Sequence, residues 1–307
     1  MLKNFFQKYQ LTPSDILIIA CSGGPDSMYL LSEVMKIHPN EHLIVAHFNH
    51  CLRAMESEGD EEFLRDFCEK NHLVFSSTKK DIASIACEMK KGIEETARIE
   101  RYTFLEQIRG KYSAKYILTA HHLDDSIETI MFNLIRGSKI HGLMGVPEQN
   151  RYILRPLLDT SKTEILKKLE KESIPYRLDS TNTDDIYLRN HLRLNIINEF
   201  ERINPEYRKN MASFMKYMSE LGEFIDSQVE IFLRGESSFM VDDFQILSPF
   251  LQRETIRYIY EHANNGTIGL SEGGIAEIVR FIGDKGNYTK KQLGKLCLEK
   301  KNGKVSF

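Results

Sequence analysis

The chain has 307 residues, of which 41% are hydrophobic and 28% charged, and its formal net charge is −3. That length buries at least one sizeable core and admits roughly two domains, while no run approaches the ~18 apolar residues of a membrane span. The near-neutral charge does not advertise a polyanion partner, and five cysteines without a CxxC pair argue against a disulfide framework or a four-thiolate metal site.

The N-terminal stretch MLKNFFQKYQLTPSD lacks a long apolar core followed by a small-residue cleavage site, so no secretory signal is expected and the cytoplasm is the expected compartment. Up to about residue 160, short apolar runs alternate with helical patterns. Strands are predicted at Ile16–Ala20, Leu43–Phe48, Leu73–Ser76, Tyr116–Ala120 and Tyr152–Leu154. Helices are predicted at Ser27–Lys36, Glu58–Asn71, Ile93–Arg109 and Asp125–Arg136. This alternation indicates an α/β fold whose parallel sheet is covered on both faces. Right-handed crossovers then gather the strand C-termini on one edge, where such sheets hold ligands.

Around Pro175 the pattern changes to a polar, turn-rich loop, IPYRLDSTNTDD, followed by IYLRNHLRLNIINEF, read as a basic-faced helix. Beyond Asn204-Pro205 the chain reads as mostly helical, at Met211–Leu233 and Ser248–Ala263, and Asn302-Gly303 signals a closing hairpin. The expected domains are therefore 1–204, carrying the parallel sheet, and a smaller helix-rich domain, 205–307.

The first predicted strand delivers CSGGPDS to the ligand edge. Gly23 and Gly24 permit positive φ and leave no Cβ between backbone amides and an anion. Asp26 or Ser27 can cap the following helix, whose N-terminus favours phosphate, and Ser22 and Ser27 add hydroxyls. The plain alternative is a strand–turn–helix corner without a ligand. The loop has no lysine of the GxxxxGK[ST] kind, and Asp26 would repel an unscreened phosphate unless Mg²⁺ sits between them. Such a loop suits pyrophosphate as the departing group while the α-phosphorus is attacked, which predicts an adenylating enzyme and not a kinase.

Ser22–Ser27 matches the SGGxDS signature and so resembles the PP-loop, or N-type ATP pyrophosphatase, superfamily. Further segments, in order, are VAHFNHCLR (Val45–Arg53), EETARIERYTFL (Glu94–Leu105), TAHHLDDSIETIMFNLIRGS (Thr119–Ser138), RPLLDTSKTEI (Arg155–Ile165) and LDSTNTDDIYLRNHLR (Leu178–Arg193). Together they resemble the isoleucine-tRNA lysidine synthetase family, densely from residue 15 to about 200 and more loosely beyond. The resemblance implies ATP and Mg²⁺, with Ser22, Gly23, Gly24, Pro25, Asp26 and Ser27 binding the nucleotide and Asp26 holding the metal. It implies as partners L-lysine and an isoleucine tRNA with a CAU anticodon, with a homodimer among the expectations. The tail resembles that family's small helical substrate-binding domain, and a further C-terminal domain of longer members is not expected here.

The remaining constellations gain or lose weight beside that resemblance. In HHLDDSIET, Asp125 and Glu128 share one helix face just after His121 and His122. Acids there can merely complement the helix dipole, yet the resemblance implies that His122, Asp125 and Glu128 surround the reacting groups. A zinc site built from His47, His50, Cys51, His121 and His122 is weighed and not expected, because the strand-exit geometry is irregular and carboxylates outnumber thiols. His50 and Arg53 are instead expected to border the substrate cleft. Arg98 and Arg101, with Glu94 and Glu95 a turn earlier, fit a surface helix laced with ion pairs. The resemblance favours Arg98 as a catalytic cation facing phosphate, and Arg136, Arg189, Asn190 and Arg193 as contacts to RNA or nucleotide. Tail lysines such as Lys290, Lys291 and Lys295 fit phosphate contact or an ordinary exposed surface equally. Two other functions stay open from sequence: a PP-loop tRNA sulfur-transferase, and an ATP-binding sensor without catalysis.

Overall fold

Leu17–Ala20 (β1) is the strand around which the first part of the chain is organised. Its residues alternate, Leu17 and Ile19 facing one apolar layer and Ile18 the other, and all three are fully buried. The structure is a computed structural model that describes residues 2–51, 54–177, 192–264, 266, 269–284 and 289–307. It divides the chain into two units, Met1–Met215 and Lys216–Phe307.

In the first unit, helix Leu2–Lys8 (α1) precedes β1, and Pro25–Met35 (α2) leads to Leu43–Asn49 (β2). Ala54–Lys70 (α3), Val74–Lys79 (β3), Ile82–Met89 (α4), Ile93–Tyr112 (α5), Tyr116–Leu118 (β4) and Leu123–Ile135 (α6) follow. Gln149–Asn150 (β5), Ile153–Leu154 (β6), Lys162–Glu172 (α7) and Asn198–Ile203 (α8) complete it. The six strands form one sheet in the order β3-β2-β1-β4-β6-β5. All pairings are parallel except that of β5 with β6, a short edge hairpin whose Arg151 adopts φ 53°. Both faces are covered, as the alternation predicted. Leu2, Met28, Leu64 and Ile165 from α1, α2, α3 and α7 pack on one side, and Ile82, Phe104 and Ile108 from α4 and α5 on the other. Each such fully buried side chain contributes about 1.5–3 kcal/mol.

Strand order reverses at β1, with β2 and β3 to one side and β4 to the other, so the switch point of the sheet lies beyond the ends of β1 and β4. Three helices escape the periodicity reading. α1 and α4 are seven and eight residues long, too short for an amphipathic pattern to declare itself. α7 starts inside a segment that reads as a motif, and its capping box, Ser161 with Glu164, marks its start. The first part of the predicted basic-faced helix, with Arg189 and Asn190, lies outside the described residues; its second part is a π-helical turn, Leu192–Ile197, leading into α8.

The long helix Tyr207–Leu233 (α9) begins in the first unit and ends in the second. The second unit adds Ser238–Met240 (β7), Val241–Ile246 (α10), Pro249–Asn264 (α11), Glu272–Gly283 (α12), Lys290–Leu293 (β8), Leu296–Lys301 (β9) and Lys304–Ser306 (β10). Its strands form an antiparallel sheet, β7-β10-β9-β8, beneath a core of Val229, Phe244, Ile256, Ile278 and Leu298. The hairpin at Asn302-Gly303 is present, both residues at positive φ (51° and 73°) as a two-residue turn requires. The two outer strands were not anticipated, since β7 is three residues long and β8 reads as a charged run. No described helix is long and apolar enough to cross a membrane.

Candidate active site

The glycine loop leaves β1 at the switch point. Cys21 N–H still donates to Ala46 of β2, and then Gly23 turns the chain at φ +89°, a conformation closed to most side chains. Gly24 uses ordinary extended backbone (φ −73°) and holds the N-cap position of α2, with Pro25 as first helical residue. The cap is therefore neither Asp26 nor Ser27, and no side chain caps the helix. Ser27 Oγ braces the corner from inside, accepting from Ser22 N–H at 3.2 Å and donating to the Gly24 carbonyl at 3.0 Å.

A cavity of about 290 Å³ opens beside this loop, lined by Ser22, Asp26 and Ser27 from the loop and Ala46, Phe48 and His50 from β2 and its exit. Arg101 and Leu105 of α5, and Thr119, Ala120, His121 and Asp125 beyond β4, complete the wall. The sheet edge predicted to bind ligand is thus where the concavity lies.

Next to it stands an acid–imidazole cluster. His122 is 3% exposed and bracketed by three carboxylates: Nε2 lies 3.7 Å from Asp26 and 3.6 Å from Asp125, and Nδ1 lies 3.8 Å from Asp124. None is a hydrogen-bond distance, and Nδ1 has no hydrogen-bond partner among the described residues. Asp125 accepts the backbone N–H of His122 at 2.9 Å and so fixes the start of α6. Glu128 follows on the same helix, buried. His121 bonds Thr119 Oγ1 at 2.9 Å. Burial holds its imidazole down to about 4; Asp125 opposes this, while Arg155, Arg101 and Arg98 reinforce it.

Sequence reasoning missed three residues here. Lys162, first residue of α7, places Nζ 2.5 Å from Asp26 Oδ1, so an ammonium does reach the glycine loop, from a segment 136 residues away. Asp124 accepts the Lys162 backbone N–H at 2.7 Å and Arg208 Nε at 2.8 Å. Burial pushes the Asp124 carboxyl up, but those two donors outweigh it and hold it below the usual range. The signal for Lys162 was the TSKTE run inside the RPLLDTSKTEI motif; Asp124 was hidden beside the more obvious Asp125. For Arg208 no sequence signal exists, since it sits in a helix predicted only from Met211.

The other expected residues are spread around this centre. His50 lines the cavity with its ring 4.7 Å from Phe48. Arg98 is exposed, its guanidinium 5.6 Å from the Tyr102 ring, whereas Arg101 lines the cavity itself. Arg136 caps the C-terminus of α6 over Phe132, at 4.0 Å. His47 is buried and its Nδ1 meets the Cys21 carbonyl at 3.0 Å, a strand-end packing role. Arg53, Arg189 and Asn190, and the side chain of Arg193, lie outside the described residues.

Among the described residues no three His, Cys, Asp or Glu side chains are grouped as a metal cage. Mg²⁺ in nucleotide sites needs none, since one or two carboxylates and the substrate's phosphates suffice. Asp26 fits that requirement: an oxygen donor in the first turn of α2, beside the glycine loop, already attracting one cation.

Residues 1–200 match the family model described as a PP-loop domain. The chain is 37% identical over 237 residues to the tRNA(Ile)-lysidine synthase of Chlorobaculum tepidum, covering 76% of this chain and 72% of that protein. It is 32% identical over 297 residues to the bifunctional protein TilS/HprT of Listeria innocua (92% of this chain, 46% of that protein). Against the tRNA(Ile)-lysidine synthase of Parabacteroides distasonis it is 37% identical over 220 residues (71% and 50%). It spans about half the length of most of these curated relatives. Among solved structures, the U34-tRNA thiolase NcsA of Methanococcus maripaludis is similar in fold, with a TM-score of 0.55 at 17% identity over 71% of this chain and 80% of that one. A glycine loop at the sheet's switch point, an acid–imidazole cluster beside it, and this identity over most of the chain lead to one assignment: the chain belongs to the tRNA(Ile)-lysidine synthase family of PP-loop proteins.

Proposed function

We propose that the chain is an ATP-dependent ligase of tRNA modification. It transfers AMP to the C2 carbonyl oxygen of the wobble cytidine of a CAU-anticodon isoleucine tRNA and joins L-lysine there as lysidine. The observation that carries this reading is the convergence of Asp26, His122 and Asp125 within 4 Å at the mouth of the glycine loop. In the first step a bond forms from the C2 oxygen to the α-phosphorus and the bond to the β-phosphate oxygen breaks, releasing pyrophosphate. In the second, the lysine ε-nitrogen attacks C2 and AMP departs with the oxygen.

The residues meet these needs in turn. Ser22–Ser27 cradle the phosphates with backbone N–H groups and hydroxyls. Asp26 would hold the Mg²⁺, which would screen the charge developing on the pyrophosphate. An ε-ammonium of ordinary pKa ~10.4 must lose a proton before it attacks, and Asp125, Glu128 and His122 form the acceptor and recognition set. Arg98, with Arg101 of the cavity wall three residues on, supplies further positive charge to the reacting phosphate. His50, Arg53, Arg136, Arg189, Asn190 and Arg193 are assigned to tRNA contact, and residues 205–307 to a tRNA-binding domain, as RNA readers grip unstacked loop bases and backbone. The substrates place the reaction in the cytoplasm. Tyr217, Phe224 and Ile231, exposed and spaced by seven on α9, support a homodimer, for which the solution mass is the check.

Radiolabelled lysine, ATP and a CAU-anticodon tRNA transcript test the whole. Label in the RNA with equimolar AMP and pyrophosphate is the expected result. ADP with orthophosphate overturns it, and sulfide-dependent thiolation would select the sulfur-transferase.

A further inference from the structure

We propose that Lys162 is the phosphate-binding cation the glycine loop itself lacks, parked on Asp26 until nucleotide and metal arrive. The proposal deepens the reading of this site as an ATP site and rests on it. A lysine beside an aspartate is ordinarily a solvated ion pair of little consequence. Three features set this one apart.

The first is its root. The backbone N–H of Lys162 is bound by Asp124, which Arg208 holds from the other side, and Ser161 and Glu164 close a capping box around the same turn. The main chain is therefore fixed, while the ammonium rides on a flexible four-carbon stem whose only described hydrogen bond is to Asp26. The second is reach. Lys162 and Asp26 keep about a third of their side-chain surface exposed, 33% and 30%, at the mouth of the glycine loop, so the pair can be approached and parted by a ligand. The third is crowding on one oxygen. Asp26 Oδ1 takes the ammonium at 2.5 Å and has the His122 imidazole at 3.7 Å. A divalent cation on that carboxylate would repel the ammonium and free it to turn to the phosphate chain in the loop. Lys162 and the metal thus compete for Asp26 in the free chain and cooperate on the phosphates in the loaded one.

Nucleotide binding to the whole chain, read by calorimetry with Mg·ATP and with AMP, separates this role from a structural ion pair. Lys162→Met should weaken Mg·ATP by about ten- to a hundred-fold and AMP by less than about two-fold, with Lys162→Arg restoring most of the loss. In the absence of nucleotide, Lys162→Met should tighten Mn²⁺ binding followed by electron paramagnetic resonance, and Asp26→Asn on that background should abolish the gain. Equal loss of ATP and AMP affinity, or a lowered melting temperature with the ATP-to-AMP preference intact, overturns the proposal. So does unchanged Mn²⁺ affinity. If the preference depends on Lys162 but no label enters tRNA, the ligase reading fails and this one survives. If labelling proceeds and the preference ignores Lys162, the reverse holds.

Discussion

In the second unit, Arg257 is buried yet fully answered: Nη2 donates to Asp226 at 2.8 Å, Nε to Glu254 at 2.6 Å and Nη1 to Glu261 at 2.8 Å. In the first unit His122 is buried more deeply, and its Nδ1 has no hydrogen-bond partner among the described residues; Arg155 Nε is in the same position. Buried polar atoms are ordinarily satisfied, because desolvating one without a partner costs about 1–3 kcal/mol. One unit places its buried charge where it holds helices together. The other tolerates unsatisfied groups around a cavity, which is the expected arrangement where chemistry and not stability sets the residues.

The sharpest way to break this contrast is to remove matching charges from both units. Asp125→Asn keeps the side chain's shape, and Asp26→Ala removes the proposed metal ligand. Each should lower AMP formation by about 10²–10⁴-fold while shifting unfolding free energy by no more than ~1 kcal/mol. Normal turnover in either removes that residue from the site. Arg257→Met should do the opposite. It removes the shared cation from three carboxylates, of which Glu254 is the least exposed, and should cost about 2–4 kcal/mol in denaturant unfolding while Mg·ATP affinity stays unchanged. If Arg257→Met also weakens nucleotide binding, the division of labour between the units is wrong.

A smaller effect reads the burial of the site through pH. His121 titrates near 4 in the folded chain against 6.5 when unfolded, chiefly because burial penalises its charged form. The unfolded chain therefore binds the extra proton first. The stability tied to the neutral ring is intact above about pH 6.5 and drains away as pH falls toward 4. At pH 5 the loss is about 2 kcal/mol relative to pH 8. His38 and His47, also held down by burial, act in the same direction, so the difference between His121→Asn and the parent isolates this ring. Parallel stability curves for the two would show that His121 is solvated.

What the sequence disclosed divides along the same physical line. Periodicity located β1, β2, α5 and α6 because each buries a contiguous apolar set, and the Asn302-Gly303 turn because only such residues accept positive φ twice in a row. The glycine loop and the HHLDD run were legible because their chemistry is local in the chain. Lys162, Asp124 and Arg208 were not, for their partners are 136, 38 and 84 residues away. A contact made by tertiary folding leaves no spacing to read. The cap of α2 was misplaced for a related reason: Asp26 and Ser27 are good capping residues, but the turn at Gly23 moves the helix start back to Gly24 and Pro25.

The gentlest test bears on how the first unit aims an unsatisfied charge. Ser161 Oγ accepts the Glu164 N–H at 3.2 Å and donates to the Glu164 carboxylate at 2.7 Å, and Lys162 is the next residue. Ser161→Ala removes one half of that box and leaves the Ser161 N–H to Glu164 bond, so α7 should lose only about 1 kcal/mol. Fraying of its first turn loosens the Asp124 contact to the Lys162 N–H and with it the origin of the ammonium. Mg·ATP affinity should therefore fall by about two- to five-fold, within what ~1 kcal/mol can deliver, while AMP affinity holds. An equally mild cap change in the other unit, Ser271→Ala at the start of α12, should match the stability loss without changing the affinity for either nucleotide. Should the two variants weaken Mg·ATP alike, the capping box at α7 is only holding a helix together, and the first unit would aim its charge no more carefully than the second.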